Sequence, residues 1–496
     1  MPNAGEGEPG EGRRATVLVA AGAAALAAAA ALPGAIDLPL WQDEVASARV
    51  LLEGTPAGVV EHVARTESTP PGWYLLAWVL REAGVPVEAL RFLSVALAAA
   101  LAGLTVVYAR GFLPLWPAGV AGALTALAWQ TVVHGSEVRA YALLALLTLV
   151  FALLLERAAA RPSPGRLVAV AACAAAGAYT HYFFLLAALA ALVWLAVERE
   201  LRGAAVRVGA AVLLGSATLL AWLPGLLDQV GAERFGWIDA FDPVKFAALP
   251  SALFWDPGTM YAELGTDPGT GEAVARAAIL ALVLGGCWVL ARLGPSARLC
   301  ALLVVVPIGV SGVAWLAGLR IVTGRNLIGV TAFAAVALAA VLLPLPRRAA
   351  VAAAVAGVAL AVVSYVRSPM DTRVDFDRVA DALVEAGWTP GEPILVVGSL
   401  PDFRSPLEWY LPGDVTLPRA KPVGTCGDLW VVTDVPAGRT LLDLAQPAGR
   451  EEVGTVEVAR VAWNGTLAAE AEAAEGGYLD SAEGAGCLAP LEARVP

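Results

Sequence analysis

Apolar runs of 15–20 residues recur along the chain from Ala15 to Tyr365, with short polar breaks between them. Each is close to the roughly 20 residues a helix needs to cross a bilayer. The pattern predicts spans at Ala15–Leu32, Leu90–Ala109, Ala118–Val133, Ala140–Leu155, about Leu167–Tyr179 and Phe183–Val197, and a run ending near Leu223. Four more lie near 277–291, 299–317, 327–343 and 349–366. Trp73–Leu80 is apolar but too short to span, and reads as a helix lying at or dipping into the interface. Beyond residue 366 the pattern changes. DFDRVADALVEAG has helical spacing, and PILVVGS and DLWVVTD are short β-branched runs bounded by Gly, Pro and Asp. The fold class expected is a polytopic α-helical membrane protein of about eleven transmembrane helices with a small C-terminal α/β domain. No internal repeat of fixed period is visible.

Composition agrees. Hydrophobic residues make up 58% of the 496 and charged residues 16%, where soluble domains carry about 25% charged. This excludes a soluble globular enzyme, a nucleic-acid binder and a secreted disulfide scaffold. The net charge of −11 resides in residues 367–496, where 21 Asp and Glu face 10 Lys and Arg. Only Lys245 and Lys421 are lysines, and with so much Ala, Gly and Val this fits a GC-rich bacterial genome.

Short basic loops orient the spans. Arg13 and Arg14 precede the first run, Arg157, Arg161 and Arg166 follow the fourth, and Arg199, Arg202 and Arg207 follow the sixth. These predict a cytoplasmic tail at 1–14, a membrane domain at 15–366 with long outer loops at about 33–88 and 224–272, and an extracytoplasmic domain at 367–496. The alternative for the first run is a cleaved signal peptide. The second long loop places Trp237, Trp255 and Tyr261 at interfacial depth. Cys426 and Cys487 of the tail could form a disulfide in an oxidising compartment. The sequon at Asn464 matters only in a glycosylating one.

Ionisable groups beside apolar spans are costly unless paired or functional. WQDE places Asp43 and Glu44 just after the first span, either as solvated loop acids or as one carboxylate facing a substrate with its neighbour orienting it. TPPGWYLL, Thr69 to Leu76, joins a stiff Pro-Pro entry to a helix start. HGSEVRAY, at the outer end of the third span, carries His134, Glu137, Arg139 and Tyr141. Glu137 and Tyr141 share a helix face if the fourth helix begins there. Arg139 then points toward a phosphate or one of the acids, or it seals a helix end by pairing with Glu137. His181 and Tyr182 lie in a tight THY turn, His62 in the first outer loop, and Arg320 and Arg325 in LRIVTGRNLI. For the two arginines the choice is interfacial snorkelling or a lipid phosphate. All these residues fall on one side under a topology drawn from the cytoplasmic arginines alone.

An outer-loop DE, a TPP-aromatic segment and E-x-R-x-Y opening the fourth span resemble the GT-C glycosyltransferases. The similar branch is family 39, with the bacterial protein-mannosyltransferase-like and aminoarabinose-transferase-like enzymes. The resemblance covers about Trp41 to Phe184, more weakly the RxxxGRNL segment, and the tail only in its general habit. It implies a multi-pass enzyme of the bacterial inner membrane that moves a sugar from a polyprenyl-phosphate donor to a lipid, polysaccharide or protein acceptor by inverting displacement. Asp43 is then the general base or the acceptor-positioning carboxylate, and Glu44 its support. Glu137, Arg139 and Tyr141 line the donor site, and Arg320 or Arg325 holds the phosphate. His134, His181, Tyr182 and His62 are further candidates for the substrate site. The resemblance leaves a divalent cation open, and no cluster has diagnostic metal spacing. Two other readings fit the same residues, a transporter or flippase and a non-catalytic glycolipid-binding envelope protein. The outer-end clustering of the acids and the lack of a repeat count against the first.

Overall fold

The computed structural model describes residues 9–231, 238, 240–254, 270–367, 376–390, 392, 394–397, 404–412, 427–433, 442, 447, 449–454 and 456–463. Cys426, Cys487, Asn464, Trp237, Trp255 and Tyr261 lie outside them. The chain divides into two compact units, residues 1–36 with 47–370 and residues 37–46 with 371–496.

The first unit is helical. It begins with α1 (Pro9–Asp37), followed by α2 (Gln42–Leu51), which starts in the second unit, and by α3 (Pro56–Thr66) and α4 (Gly72–Glu82). Next come α5 (Leu90–Ala109), α6 (Leu115–Leu127), α7 (Trp129–His134), α8 (Tyr141–Ala160), α9 (Pro164–Thr180) and α10 (Phe184–Val197). They are followed by α11 (Arg202–Ala217), α12 (Leu223–Gly231), α13 (Pro243–Ala252), α14 (Thr270–Ala291), α15 (Pro295–Leu316), α16 (Thr331–Ala340) and α17 (Arg347–Arg367). Among the described residues seven helical stretches are long and apolar enough to cross a membrane: Gly12–Asp37, Leu90–Ala109, Tyr141–Ala160, Arg199–Val230, Val274–Ala291, Pro295–Leu316 and Arg347–Val366. The other four expected spans are shorter helices, of 13 residues in α6, 17 in α9, 14 in α10 and 10 in α16.

Small residues let these helices touch, as they do where apolar side chains gain nothing by leaving lipid. A Cβ on Gly215 of α11 would meet the Ala171 carbonyl oxygen of α9 at 2.2 Å, and one on Gly286 of α14 the Ala337 carbonyl of α16 at 1.9 Å. The run expected as one span at 118–133 is broken. At Ala128 the backbone turns to φ −59°, ψ 130°. The Trp129 and Gln130 amides donate to the Phe254 and Leu253 carbonyls at 3.1 and 3.3 Å, just past α13.

The second unit holds α18 (Phe376–Glu385), β1 (Ile394–Val397), α19 (Arg404–Tyr410), β2 (Gly427–Thr433), β3 (Arg450–Val453) and β4 (Val456–Trp463). The sheet order is β1-β2-β4-β3, with β1–β2 parallel and the other pairs antiparallel. The apolar stripe of α18 (Phe376, Val379, Leu383) buries against Ile394, Trp430, Val432 and Val458. The helix and both strands expected in the tail are therefore present. The segment 37–46 belongs here, its Leu40 amide donating to the Tyr410 hydroxyl at 2.5 Å.

Candidate active site

Three short helices build one wall. Thr55 caps α3, its hydroxyl accepting from the Gly58 amide at 3.1 Å, with Pro56 at the first helical position. The helix ends at Thr66, where Glu67 turns extended. Pro70 and Pro71 then start α4, whose Gly72 lies so close to the Tyr179 carbonyl that a Cβ would stand 2.6 Å from it. Glu67, Thr69 and Tyr74 thereby face one another. The Tyr74 hydroxyl donates to Glu67 Oε2 at 2.5 Å, and the Thr69 hydroxyl donates to Tyr74 at 3.3 Å. Burial lifts the Tyr74 phenol well above its usual range, against the pull of Arg139, so it stays a donor.

Arg139 reaches this wall from the turn between α7 and α8. Its Nη1 lies 3.0 Å from Ser47 Oγ, 3.2 Å from Glu67 Oε2 and 3.4 Å from the Tyr74 hydroxyl. The guanidinium is almost wholly buried, and such a charge is tolerable only when paired and hydrogen-bonded, as here. Of the roles open to Arg139, pairing with an acid is seen, with Glu67.

Glu137 is also buried and turned another way. The Ser94 hydroxyl donates to its main-chain carbonyl at 2.5 Å, and its carboxylate meets His134 Nδ1 at 2.6 Å. Because α8 begins at Tyr141, Glu137 lies in the preceding turn and shares no helix face with Tyr141. The Tyr141 ring instead sits between two imidazoles, 4.5 Å from His134 and 5.7 Å from His181, with the Arg139 guanidinium 5.9 Å from its centre.

His181 ends α9 in the tight turn before α10. Its Nδ1 accepts from the Phe183 amide at 3.2 Å. Burial, then the charges of Arg139 and Arg325, push its pKa down to about 3, opposed by a hydrogen bond with Asn326. The imidazole is therefore neutral, and it feels the charges of both Arg325 and Arg139. Phe183 and Asn326 also line a narrow apolar crevice with Leu144, Leu303 and Pro307. Arg325, next in sequence to Asn326 of this crevice, offers a cation that can hold an anionic oxygen attached to a hydrocarbon chain.

The remaining candidates lie elsewhere. The Tyr182 hydroxyl donates to Gln229 Oε1 at 2.6 Å and accepts from Trp222 at 2.8 Å, a tie between the THY turn and α12. His62 pairs with Glu53 at 2.8 Å, and Arg320 is exposed. Asp43 and Glu44 open α2. Glu44 is buried and accepts from the Trp41 amide at 3.4 Å, as an acid does at the third position of a capped helix, while Asp43 is half-buried.

Comparison with models of known families finds no match, and comparison with curated proteins finds none either. Comparison with solved structures does. ArnT from Cupriavidus metallidurans, in a crystal structure bound to undecaprenyl phosphate, aligns over 90% of this chain and 97% of its own with a TM-score of 0.52 at 14% identity.

The chain has a GT-C fold.

On this GT-C fold, His134, Glu137, Arg139, Tyr141, His181 and Arg325, all singled out from the sequence, are linked through His134–Glu137, His134–Tyr141, Tyr141–His181, Arg139–Tyr141 and the charges of Arg139 and Arg325 on His181. The sequence reading missed Ser47, Glu67, Tyr74, Ser94 and Asn326. Among the described residues no three His, Cys, Asp or Glu side chains come together so as to hold a metal ion.

Proposed function

We propose that this chain is a membrane glycosyltransferase that takes a sugar from a polyprenyl-phosphate-linked donor. The observation carrying this reading is a buried, neutral histidine that feels the charges of both Arg139 and Arg325 and is hydrogen-bonded to Asn326 of an apolar crevice. A polyprenyl phosphate is an anion on a hydrocarbon chain and matches both halves. The structural neighbour was solved with undecaprenyl phosphate, which supports the same donor class. The leaving phosphate gains charge as the glycosidic bond breaks, and fixed guanidinium groups in a water-poor interior stabilise it. Glu67, Ser47 and Tyr74 hold Arg139 in place beforehand, so little reorganisation accompanies the reaction.

Asp43 is the base in this proposal. Support comes from the resemblance around WQDE, where Asp43 opens α2. It takes the acceptor's proton as the acceptor oxygen attacks the anomeric carbon, and a single displacement inverts the configuration. The site faces the extracytoplasmic side of a bacterial inner membrane, and the acceptor is a lipid, polysaccharide or protein.

The test uses the purified protein in liposomes with a panel of polyprenyl-phosphate sugars and a crude envelope acceptor fraction, reading released polyprenyl phosphate. Wild type turns over. Asp43→Asn loses at least a hundredfold, in the range general-base removal costs, and still inserts and unfolds cooperatively. Equal turnover by both would remove Asp43 from the mechanism and leave the transferase. No turnover, with donor bound, would favour transport or plain glycolipid binding.

A further inference from the structure

The short helix α7 is buried along its whole length, yet it carries polar atoms with no protein partner among the described residues: Gln130 Oε1, Thr131 Oγ1 and His134 Nε2. Stranding a buried polar atom is expensive, so each needs an occupant. At about 100° per residue, positions 130, 131 and 134 fall within a 100° arc of one helix face. They are one patch.

What the patch accepts follows from the bonds its members already make. The Gln130 amide nitrogen donates to the Ala252 carbonyl at 3.2 Å, which leaves the amide oxygen as acceptor. Glu137 accepts from His134 Nδ1, which leaves the other ring nitrogen, Nε2, for an occupant of the patch. Thr131 contributes a hydroxyl able to donate or accept. An amide oxygen and an imidazole nitrogen one turn apart, with a hydroxyl between, match neighbouring hydroxyls of a polyol, which both donate and accept. The carboxylate nearest the patch, Glu137, already holds His134.

The patch also adjoins the cationic groups. A Cβ on Gly324 would lie 3.2 Å from Gln130 Nε2, and the next residue is Arg325. The His134 ring lies 4.5 Å from Tyr141, which has Arg139 at its face. We infer that the polar face of α7 is the subsite for the donor's sugar ring, reading an uncharged, hydroxyl-bearing sugar beside the phosphate. The inference rests on the transferase reading and names its substrate class.

The experiment compares wild type, Thr131→Val and Gln130→Met in nanodiscs, measuring the Kd for bare polyprenyl phosphate, for polyprenyl-phosphate glucose and mannose, and for a polyprenyl phosphate bearing an amino sugar. Both variants keep side-chain shape, and Thr131→Val removes no protein hydrogen bond. Wild type binds the neutral sugar lipids tighter than the bare lipid. Each variant weakens the neutral sugar lipids about tenfold, one hydrogen bond's worth, and leaves the bare lipid unchanged. The Tm of unliganded Thr131→Val equals or exceeds that of wild type, which a structural hydroxyl would not allow. Parallel losses for all lipids, no loss for any, or tighter binding of the amino-sugar lipid overturns the subsite alone. Wild type binding none of the lipids overturns the transferase reading, and the subsite with it.

Discussion

His181 is buried, and it feels the charges of Arg139 and Arg325, so burial and charge act in the same direction on its pKa. The sign of the consequence follows. Its folded-state value, about 3, lies below the ordinary histidine range near 6.5. Below pH 6.5 the unfolded chain therefore takes up a proton that the native chain refuses. The stability contributed by neutral His181 is whole above that pH and declines as pH falls toward 3, at roughly 1.4 kcal/mol per pH unit. Asn326, which opposes the shift, and the neighbouring Tyr141 ring carry no compensating charge. His181→Asn should flatten the fall of Tm between pH 7 and 4.5 relative to wild type, because the remaining carboxylates titrate alike in both. Parallel Tm curves would show that His181 is not held neutral. At this scale the sequence was legible where charge met hydrophobicity. Arg139, Glu137 and His181 each interrupt or flank an apolar run. Gln130 escaped because an uncharged amide barely disturbs such a run, and Glu67 because nothing in a polar loop marks which acid turns inward.

The elements show where local pattern stops determining structure. The two strands and the helix of the C-terminal unit followed from alternation and periodicity, since α18 buries one face. The break between α6 and α7 did not. No Gly or Pro occupies residues 123–134, and what opens the helix at Ala128 is backbone pairing with Leu253 and Phe254, more than a hundred residues on. Helices α2 and α3 were hidden for a related reason. They lie in a stretch whose mixed polarity reads as a loop, and α3 depends on its Thr55 cap and Pro56 rather than on an apolar stripe long enough to recognise. Close approach of α11 to α9 was likewise unreadable, because one glycine among many gives no sign of the carbonyl opposite it. Gly215→Val tests that contact. Its side chain would drive into the Ala171 carbonyl, a backbone atom that cannot rotate away, and overpacking of this kind costs about 1–3 kcal/mol. A fall in Tm of several degrees in detergent is expected. Gly285→Val is the control, since a Cβ on Gly285 meets nothing within 4 Å. Equal Tm values for the two variants would mean the helices are not in contact at Gly215.

For the whole molecule, the loops that meet at the site constrain how many times the chain crosses the membrane. Glu67 bonds Arg139, and His181 feels Arg139 and Arg325, so these four positions lie at one end of the bundle. Any two of them must be separated by an even number of crossings. If only the seven long helices crossed, one would separate Glu67 from Arg139, one Arg139 from His181, and three His181 from Arg325. Every count is odd. Adding the shorter α6, α9 and α10 makes each even. Helix α4 cannot substitute, because its 11 residues reach about 16 Å, half of the roughly 30 Å hydrocarbon core. Short helices therefore have to cross, and the local bilayer or their neighbours must accommodate the mismatch. In the proposed orientation, with the N-terminal arginines inside, the site end faces outward and the chain leaves α17 on the outer side if α16 also crosses. Alkaline phosphatase fused after Pro496 should then be active, and phosphatase fused after Arg161, between α8 and α9, inactive. The reverse pair would invert the orientation and leave the crossing count standing. Equal activity at the two positions would mean an even number of crossings between Arg161 and the C-terminus, so that one of α9, α10, α16 or the four long helices from Arg199 to Val366 does not cross.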